Sequence, residues 1–169
     1  PGSTVTVEIC YQSIGIKVRD RSRVELLLQP ATKFVHTVAV ANKLLSIPAG
    51  EWDFHAEASW TVDHDVTFLS LSPHMHKLGT EMRVRLTRPD GTSEDMLWIR
   101  GYDENRQKAY VFRDPLRVPK GSRVDLIATF DNSESNTSNP NTPPRAVHWG
   151  TSERDEMLVA FLEYLDGLQ

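Results

Sequence analysis

The sequence predicts an all-β fold, an antiparallel β-sandwich or jelly-roll-like single domain, and three observations support this prediction. Apolar and polar residues alternate in short segments, as in Met82, Val84 and Leu86, and this two-residue period is typical of half-buried strands. Turn signals such as Pro89-Asp90-Gly91 separate the segments. Long segments with the 3.6-residue period of an amphipathic helix are absent from the sequence.

The individual strands are predicted in chain order from these patterns. A first strand is indicated by the alternation of Val5, Val7, Ile9 and Tyr11 with polar residues. It falls in an N-terminal strand and junction segment at residues 1–22, and the sandwich is expected over residues 23–169. Further strands are predicted at 66–71, 82–86, 124–130 and 157–165, with turns at 48–50, 89–91 and 119–121.

The segment from Asp131 to Arg145, DNSESNTSNPNTPPR, interrupts this rhythm. A loop of about fifteen residues inside a compact domain is usually functional or mobile. Its asparagines can cap their own turns, while its prolines prevent regular strand pairing. We therefore expect an ordered surface loop.

Composition excludes several classes of function. The net charge is −4 and the acidic and basic residues are interspersed, so no basic stripe indicates nucleic acid or an anionic membrane as a partner. No apolar run approaches the roughly 18 residues of a membrane span. The only cysteine, Cys10, excludes an intrachain disulfide.

Two histidines one residue apart, His74 and His76 in SPHMHKLG, follow the predicted strand at 66–71. Side chains at i and i+2 of a strand share a face, so the two imidazoles could hold one metal ion. Copper, zinc, nickel and iron all suit imidazole, and exposed strand-end histidines are the structural alternative. Candidates for a third ligand are His36, His55, His64, His148, Asp155, Glu156 and Met157.

Two separated motifs resemble one family of enzymes. The segments SPHMHKLGTEM and ATFDNSESNTSNPNTPPRAVHWGTSERDEML contain a His-x-His-x-x-Gly run and a Gly-Thr-x-x-x-Asp-Glu-Met run. Together they are similar to the C-terminal catalytic domain of the copper type II, ascorbate-dependent monooxygenases, which include peptidylglycine α-hydroxylating monooxygenase and dopamine β-monooxygenase. The similarity extends from about Arg23 to Leu165, and the Asn/Pro-rich loop resembles bacterial members.

The resemblance implies a site and an activity. His74, His76 and Met157 would hold one copper ion per chain and form the catalytic centre, while the acids before Met157 would be structural. The expected reaction is hydroxylation of an aliphatic C–H bond of a small-molecule or peptide substrate by O2, with electrons from ascorbate or another donor. It also implies a periplasmic or extracellular, secreted location. Met75 is expected to pack away from the metal, beside turns at Gly79 and Gly150.

The resemblance also implies a partner outside this chain. Family enzymes store an electron on a second copper held by three histidines of a preceding domain. One of these histidines belongs to a His-Tyr pair, where this chain reads Ile9-Cys10-Tyr11. Loss of that copper, a thiolate in place of imidazole, and a shifted alignment are the three explanations. We therefore expect an electron-donating domain or protein elsewhere. The alternatives to an enzyme are a non-catalytic copper-binding or copper-delivery module and a binding jelly roll with a vestigial site.

Overall fold

A computed structural model describes residues 4–7, 9, 11, 15–28, 30 and 33–168 of the chain. The chain divides into two compact units, residues 1–31 and 32–169; the domain division expected at residues 22 and 23 stays a prediction. The strands of the second unit are β1 (His36–Ala41), β2 (Ser46–Ile47), β3 (Phe54–Thr61), β4 (Val66–His74), β5 (Gly79–Thr87), β6 (Ser93–Arg100), β7 (Tyr110–Val118), β8 (Arg123–Phe130), β9 (Val147–His148) and β10 (Val159–Asp166).

The described residues form an all-β structure, with a single 3-10 turn at Glu104–Arg106 between β6 and β7. None of them belongs to a helix of the length and apolar character that crossing a membrane requires. The strands pair in antiparallel fashion, which confirms the predicted antiparallel β-sandwich. Its jelly-roll-like character stays a prediction.

Two four-stranded sheets make up the sandwich. We call the sheet with the order β1-β10-β4-β7 the front sheet and the sheet with the order β3-β8-β5-β6 the back sheet. The short strands β2 and β9 pair with each other. The inner faces of the two sheets contribute to one apolar core, because their alternate residues are apolar and buried. Core residues include Phe68, Leu71, Ala160 and Leu162 from the front sheet and Met82, Val84, Leu126 and Phe130 from the back sheet.

The patterns that predicted β5, β8 and β10 are confirmed. Met82, Val84 and Leu86 of β5 are fully buried while the intervening residues are not. The last strand begins at Val159, two positions after the predicted start at Met157. The three predicted turns each end in a glycine with positive φ, at 80°, 85° and 84° for Gly50, Gly91 and Gly121, a conformation that favours glycine.

The first predicted strand is not found among the described residues of the N-terminal unit. Residues 4–7, 9 and 11 carry no strand pairing. Val5 and Val7 are 62% and 51% exposed, so their alternation does not meet a buried face, which is what normally stabilises a strand. Cys10, on which the comparison with the His-Tyr pair depends, lies outside the described residues.

The polar loop from Asp131 to Arg145 is held by its asparagines, as expected. Asn132 is fully buried, and its side-chain amide donates hydrogen bonds to the carbonyl oxygens of Pro48 (2.7 Å) and Arg145 (2.9 Å). Asn139 donates to the Asn132 side-chain oxygen (3.0 Å). The asparagines thus satisfy backbone groups that regular pairing would otherwise satisfy. This loop leads through β9 into the segment that carries Met157.

Candidate metal centre

The two predicted histidines lie where strand β4 ends and its connection to β5 begins. His74 is the last residue of β4, and His76 lies in the turn that follows, where the Gly79 backbone N–H bonds to the His76 carbonyl (3.3 Å). Their ring centroids are 5.1 Å apart and the ring planes are inclined by 78°. The chain therefore brings the two imidazoles together even though only one of them belongs to the strand.

The pairing of β4 with β10 leads the chain around Met157 toward this pair. The register ends with His74 paired with Val159, two residues before His76 and two residues after Met157. One carboxylate oxygen of Glu156 accepts hydrogen bonds from the backbone N–H groups of both His76 and Met157, so these two backbones lie within two hydrogen-bond lengths of each other.

Glu156 is the structural link between the two motifs. It is fully buried, and its second carboxylate oxygen accepts a hydrogen bond from the Leu78 backbone N–H (2.9 Å). Three backbone donors thus converge on one side chain. Burial raises the pKa of the Glu156 carboxyl, and the hydrogen bonds from His76, Met157 and Leu78 oppose that shift. The acid that precedes Met157 is therefore structural, as expected.

Each histidine has its Nδ1 atom engaged by a neutral oxygen. The side-chain oxygen of Gln107 bonds to Nδ1 of His74, and the backbone oxygen of Asp155 lies 3.0 Å from Nδ1 of His76. Because both partners are acceptors, each Nδ1 carries a hydrogen, and the neutral form of either ring therefore has its lone pair on Nε2. Burial lowers the pKa of His74, which favours the same neutral form.

Met75, between the histidines, belongs to the core, as predicted. Met75 is fully buried. A Cβ atom added to Gly79 would lie 2.7 Å from the terminal methyl carbon of Met75 and 2.8 Å from the Cβ atom of Met75. Tyr102 fixes the backbone here, since its hydroxyl accepts from the Met75 N–H (2.9 Å) and donates to the Met75 carbonyl (3.0 Å). Glycine in the His-x-His-x-x-Gly run is thus required because Met75 packs directly against it.

Gly150 has a similar role in the second motif. A Cβ atom there would lie 2.3 Å from a carboxylate oxygen of Asp155. That carboxylate accepts from the Ser152 backbone N–H (3.2 Å), and its pKa is lowered chiefly by a hydrogen bond from the Ser152 side chain and further by this backbone bond. The compact turn that results directs the Asp155 carbonyl at His76.

The other histidines lie in different surroundings. The Nε2 atom of His55 lies 3.4 Å from a carboxylate oxygen of Asp53, and His148 is exposed. His36 and His64 both contact Asp166, at 3.2 and 3.0 Å, at the other end of β10. Among the described residues, no group of three His, Cys, Asp or Glu side chains is arranged to hold a metal.

Sequence reasoning missed Gln107 and Tyr102. Both lie in the connection between β6 and β7, where Gln107 directly follows the 3-10 turn. A small cavity of about 230 Å³ lies beside them, lined also by Pro73, Ile99 and Tyr110. The sequence YDENRQKAY carries no spacing that relates it to a histidine 33 positions earlier, so only the folded chain shows the contact.

The chemistry of the expected donors suits a copper ion. Two neutral imidazoles are ligands that copper, zinc, nickel and iron accept, and a thioether added to them would favour copper, especially Cu(I). Nδ1–H groups bonded to fixed acceptors are the usual way in which proteins orient metal-binding histidines. Hard cations such as Mg²⁺ or Ca²⁺ would require oxygen ligands instead.

Comparison with known proteins supports this chemistry. The profile of the family "Copper type II ascorbate-dependent monooxygenase, C-terminal domain" matches residues 33–169. No curated protein sequence is similar enough to the chain to count as a match.

Solved structures add little. The crystal structure of the infectious bursal disease virus VP2 subviral particle is 13% identical to this chain; the match covers 80% of this chain and 33% of the viral chain, with a TM-score of 0.39. The structure of the Gt strain of that virus is 14% identical; the match covers 82% of this chain and 38% of the viral chain, with a TM-score of 0.33. The chain thus spans little more than a third of these viral proteins, and a likeness this weak supports no statement about function.

Proposed function

Because the chain belongs to the copper type II ascorbate-dependent monooxygenase family, as its C-terminal domain, we propose that it binds one copper ion through His74, His76 and Met157. The site would serve O2-dependent hydroxylation of an aliphatic C–H bond. Ascorbate, which the family name identifies, would be the source of electrons, directly or through a domain or protein outside this chain.

The observation that carries the proposal is that the two histidine rings lie side by side and are both held through Nδ1. Both Nδ1 atoms face fixed acceptors, and the two rings lie 5.1 Å apart. Through the shared oxygen of Glu156, the Met157 backbone is tied to the same turn. Three neutral donors arranged in this way leave further coordination positions open for a reactant.

The balance of the reaction explains the need for a partner. Converting a C–H bond and O2 into C–OH and water consumes two electrons and two protons. Bound copper would supply the activation of O2 and one of the two electrons. His74 and His76 would hold their Nε2 atoms in position, and the Gln107 and Asp155 oxygens would keep both rings from turning. A second electron must reach the site from elsewhere, so we expect slow turnover by this chain alone.

Metal competition tests the binding step. Purified protein is dialysed anaerobically against equal Cu(I) and Zn(II), each buffered by a chelator, and its metal content is measured. We expect about one copper per chain and little zinc, because thioether sulfur favours Cu(I). Uptake of zinc with exclusion of copper would contradict the proposal.

Oxygen uptake separates an enzyme from a copper-delivery module. Copper-loaded protein with excess ascorbate is compared with the His74→Ala variant in an oxygen electrode, with and without a C–H-bearing additive. An enzyme domain shows uptake that depends on both the additive and His74. A delivery module shows no dependence on the additive and passes its copper to an acceptor chelator.

A further inference from the structure

The outer face of the front sheet continues directly from His74. Along β10, Ala160 and Leu162 are fully buried in the core, so the residues that alternate with them, Val159 and Phe161, lie on the opposite face of the sheet. His74 pairs with Val159, which in turn pairs with Ala41 of β1. Val159 is only 3% exposed and yet lies outside the core cluster. The first row on this face is therefore Ala41, Val159 and His74.

The next row along the sheet is also uncharged. It consists of Ala39, Phe161 and Ser72, which pair across β1, β10 and β4. Phe161 is 42% exposed, so a large apolar ring meets solvent about 7 Å along the strand from the first row. The two rows together form what we call the apolar strip: Ala39, Ala41, Ser72, Val159 and Phe161.

The third row contains the nearest charge that the sheet itself places on this face. Glu163 pairs with Ser70, whose hydroxyl donates to its carboxylate at 2.6 Å. A substrate lying along the strip with an anionic group would meet no Lys or Arg side chain in the first two rows and a carboxylate in the third. Removing an anion from water without a partner is strongly unfavourable.

We propose that the substrate part bound beside His74 is uncharged and apolar, with a hydrocarbon or aromatic group resting on Phe161. This inference rests on the proposed function, because a C–H bond can react at the site only if its carrier lies on this face. Val159 beside His74 is covered, whereas Phe161 is exposed, so Phe161 is the large apolar contact that the strip offers. Substrates with a carboxylate next to the reacting carbon are disfavoured.

A matched pair of probes tests the inference. Copper-loaded, reduced protein is titrated without oxygen with 4-phenylbutanamide and with 4-phenylbutanoate, and binding is followed by NMR, which diamagnetic Cu(I) permits. We expect the neutral amide to bind at least about tenfold more tightly than the carboxylate of the same shape. Signals of Phe161 and His74 should shift together.

Introducing a positive charge at the strip sharpens the test. Phe161→Arg should lower the affinity for the amide by about tenfold and raise the affinity for the carboxylate, because it removes the apolar contact and supplies a cation. Leu168→Arg is the matched control, since Leu168 is also exposed but follows the opposite end of β10. Leu168→Arg should leave the affinities for both probes within about twofold of those of the wild type.

The outcomes keep this inference apart from the proposed function. The inference is overturned, even with copper on His74, if the wild type binds both probes equally, prefers the carboxylate or shows no saturable binding. It is also overturned if Phe161→Arg leaves the preference unaltered. If copper binds elsewhere while the metal-free protein still prefers the amide at Phe161, the proposed function fails, and the preference of the strip for an uncharged group is confirmed separately.

Discussion

The two ends of the β4–β10 strand pair each gather two histidines around a carboxylate, with opposite results. At the Glu156 end, the carboxylate bonds three backbone N–H groups, and His74 and His76 bond to neutral oxygens. At the Asp166 end, the carboxylate contacts the ring nitrogens of two other histidines directly, with His64 at 3.0 Å and His36 at 3.2 Å.

The protonation of the imidazoles differs accordingly. His64 faces Asp63 through Nδ1 (2.6 Å) and Asp166 through Nε2 (3.0 Å). These two hydrogen bonds raise its pKa, and a ring that donates through both nitrogens has no lone pair for a metal. At the Glu156 end burial lowers the pKa of His74. The hydrogen-bond partners of a histidine therefore decide whether its ring favours the neutral form, which has a lone pair for a metal, or the protonated form, which has none.

Removing a ligand is the largest expected change. His74→Ala should lower copper affinity by more than about 100-fold, because loss of a direct ligand exceeds the 10–100-fold typical of its supporting groups. The matched variant at the Asp166 end, His64→Ala, should leave affinity within about twofold. Competition with a chelator of known Cu(I) affinity measures both. Equal losses in the two variants would remove the distinction between the ends.

Glu156→Gln should have the largest effect on stability. The amide keeps the shape but turns an NH2 group toward a backbone N–H, leaving at least one buried donor without an acceptor. An unsatisfied buried donor destabilises by about 1–3 kcal/mol. Urea unfolding measures the change. Asp166→Asn is the control, with a clearly smaller loss expected because that side chain is 65% exposed. Similar losses at both ends would show that Glu156 is not the link.

Gln107 should matter through the orientation of His74. Gln107→Leu removes the acceptor for Nδ1 and should lower copper affinity by about 10–100-fold. Gln107→Glu keeps an oxygen there and should recover most of the loss. The same chelator competition, together with unfolding curves that exclude a general loss of fold, measures both variants. Wild-type affinity in Gln107→Leu would show that the contact with His74 is incidental.

The smallest effect is the pH response of the Asp166 end. The pKa of His64 is raised in the folded state, so its contribution to stability is fully present below the pKa of about 6.5 in the unfolded chain. That contribution is lost as pH rises through the folded pKa. Asp63→Asn should shift the NMR-measured pKa of His64 downward. An unchanged value would show that Asp63 does not hold the proton.

Part of this contrast can be related to the sequence. His64, one of the candidate third ligands, stands between Asp63 and Asp65, and these neighbours favour a structural or surface role over metal binding. The alternation in β5 and β8 identified their buried residues, because one face of each strand packs in the core. The same alternation near Val5 predicted a strand that the described residues do not form.

The rest depends on contacts between distant parts of the chain. Met157 is 81 positions from His76 and was connected with it only through the family resemblance. Gln107 reaches His74 because the β6–β7 connection lies beside the end of β4. Neither relation has a local period or spacing, so sequence patterns alone could not predict which side chains orient the histidines.

The most direct test is X-ray absorption at the copper edge of the reduced, copper-loaded protein, compared with its Met157→Leu variant. The substitution keeps the side-chain volume and should cost less than about 1.5 kcal/mol of stability. We predict two imidazole nitrogens and one sulfur around copper in the wild type, and loss of the sulfur contribution in the variant. Indistinguishable spectra, or a wild-type spectrum without sulfur, would contradict copper binding by His74, His76 and Met157.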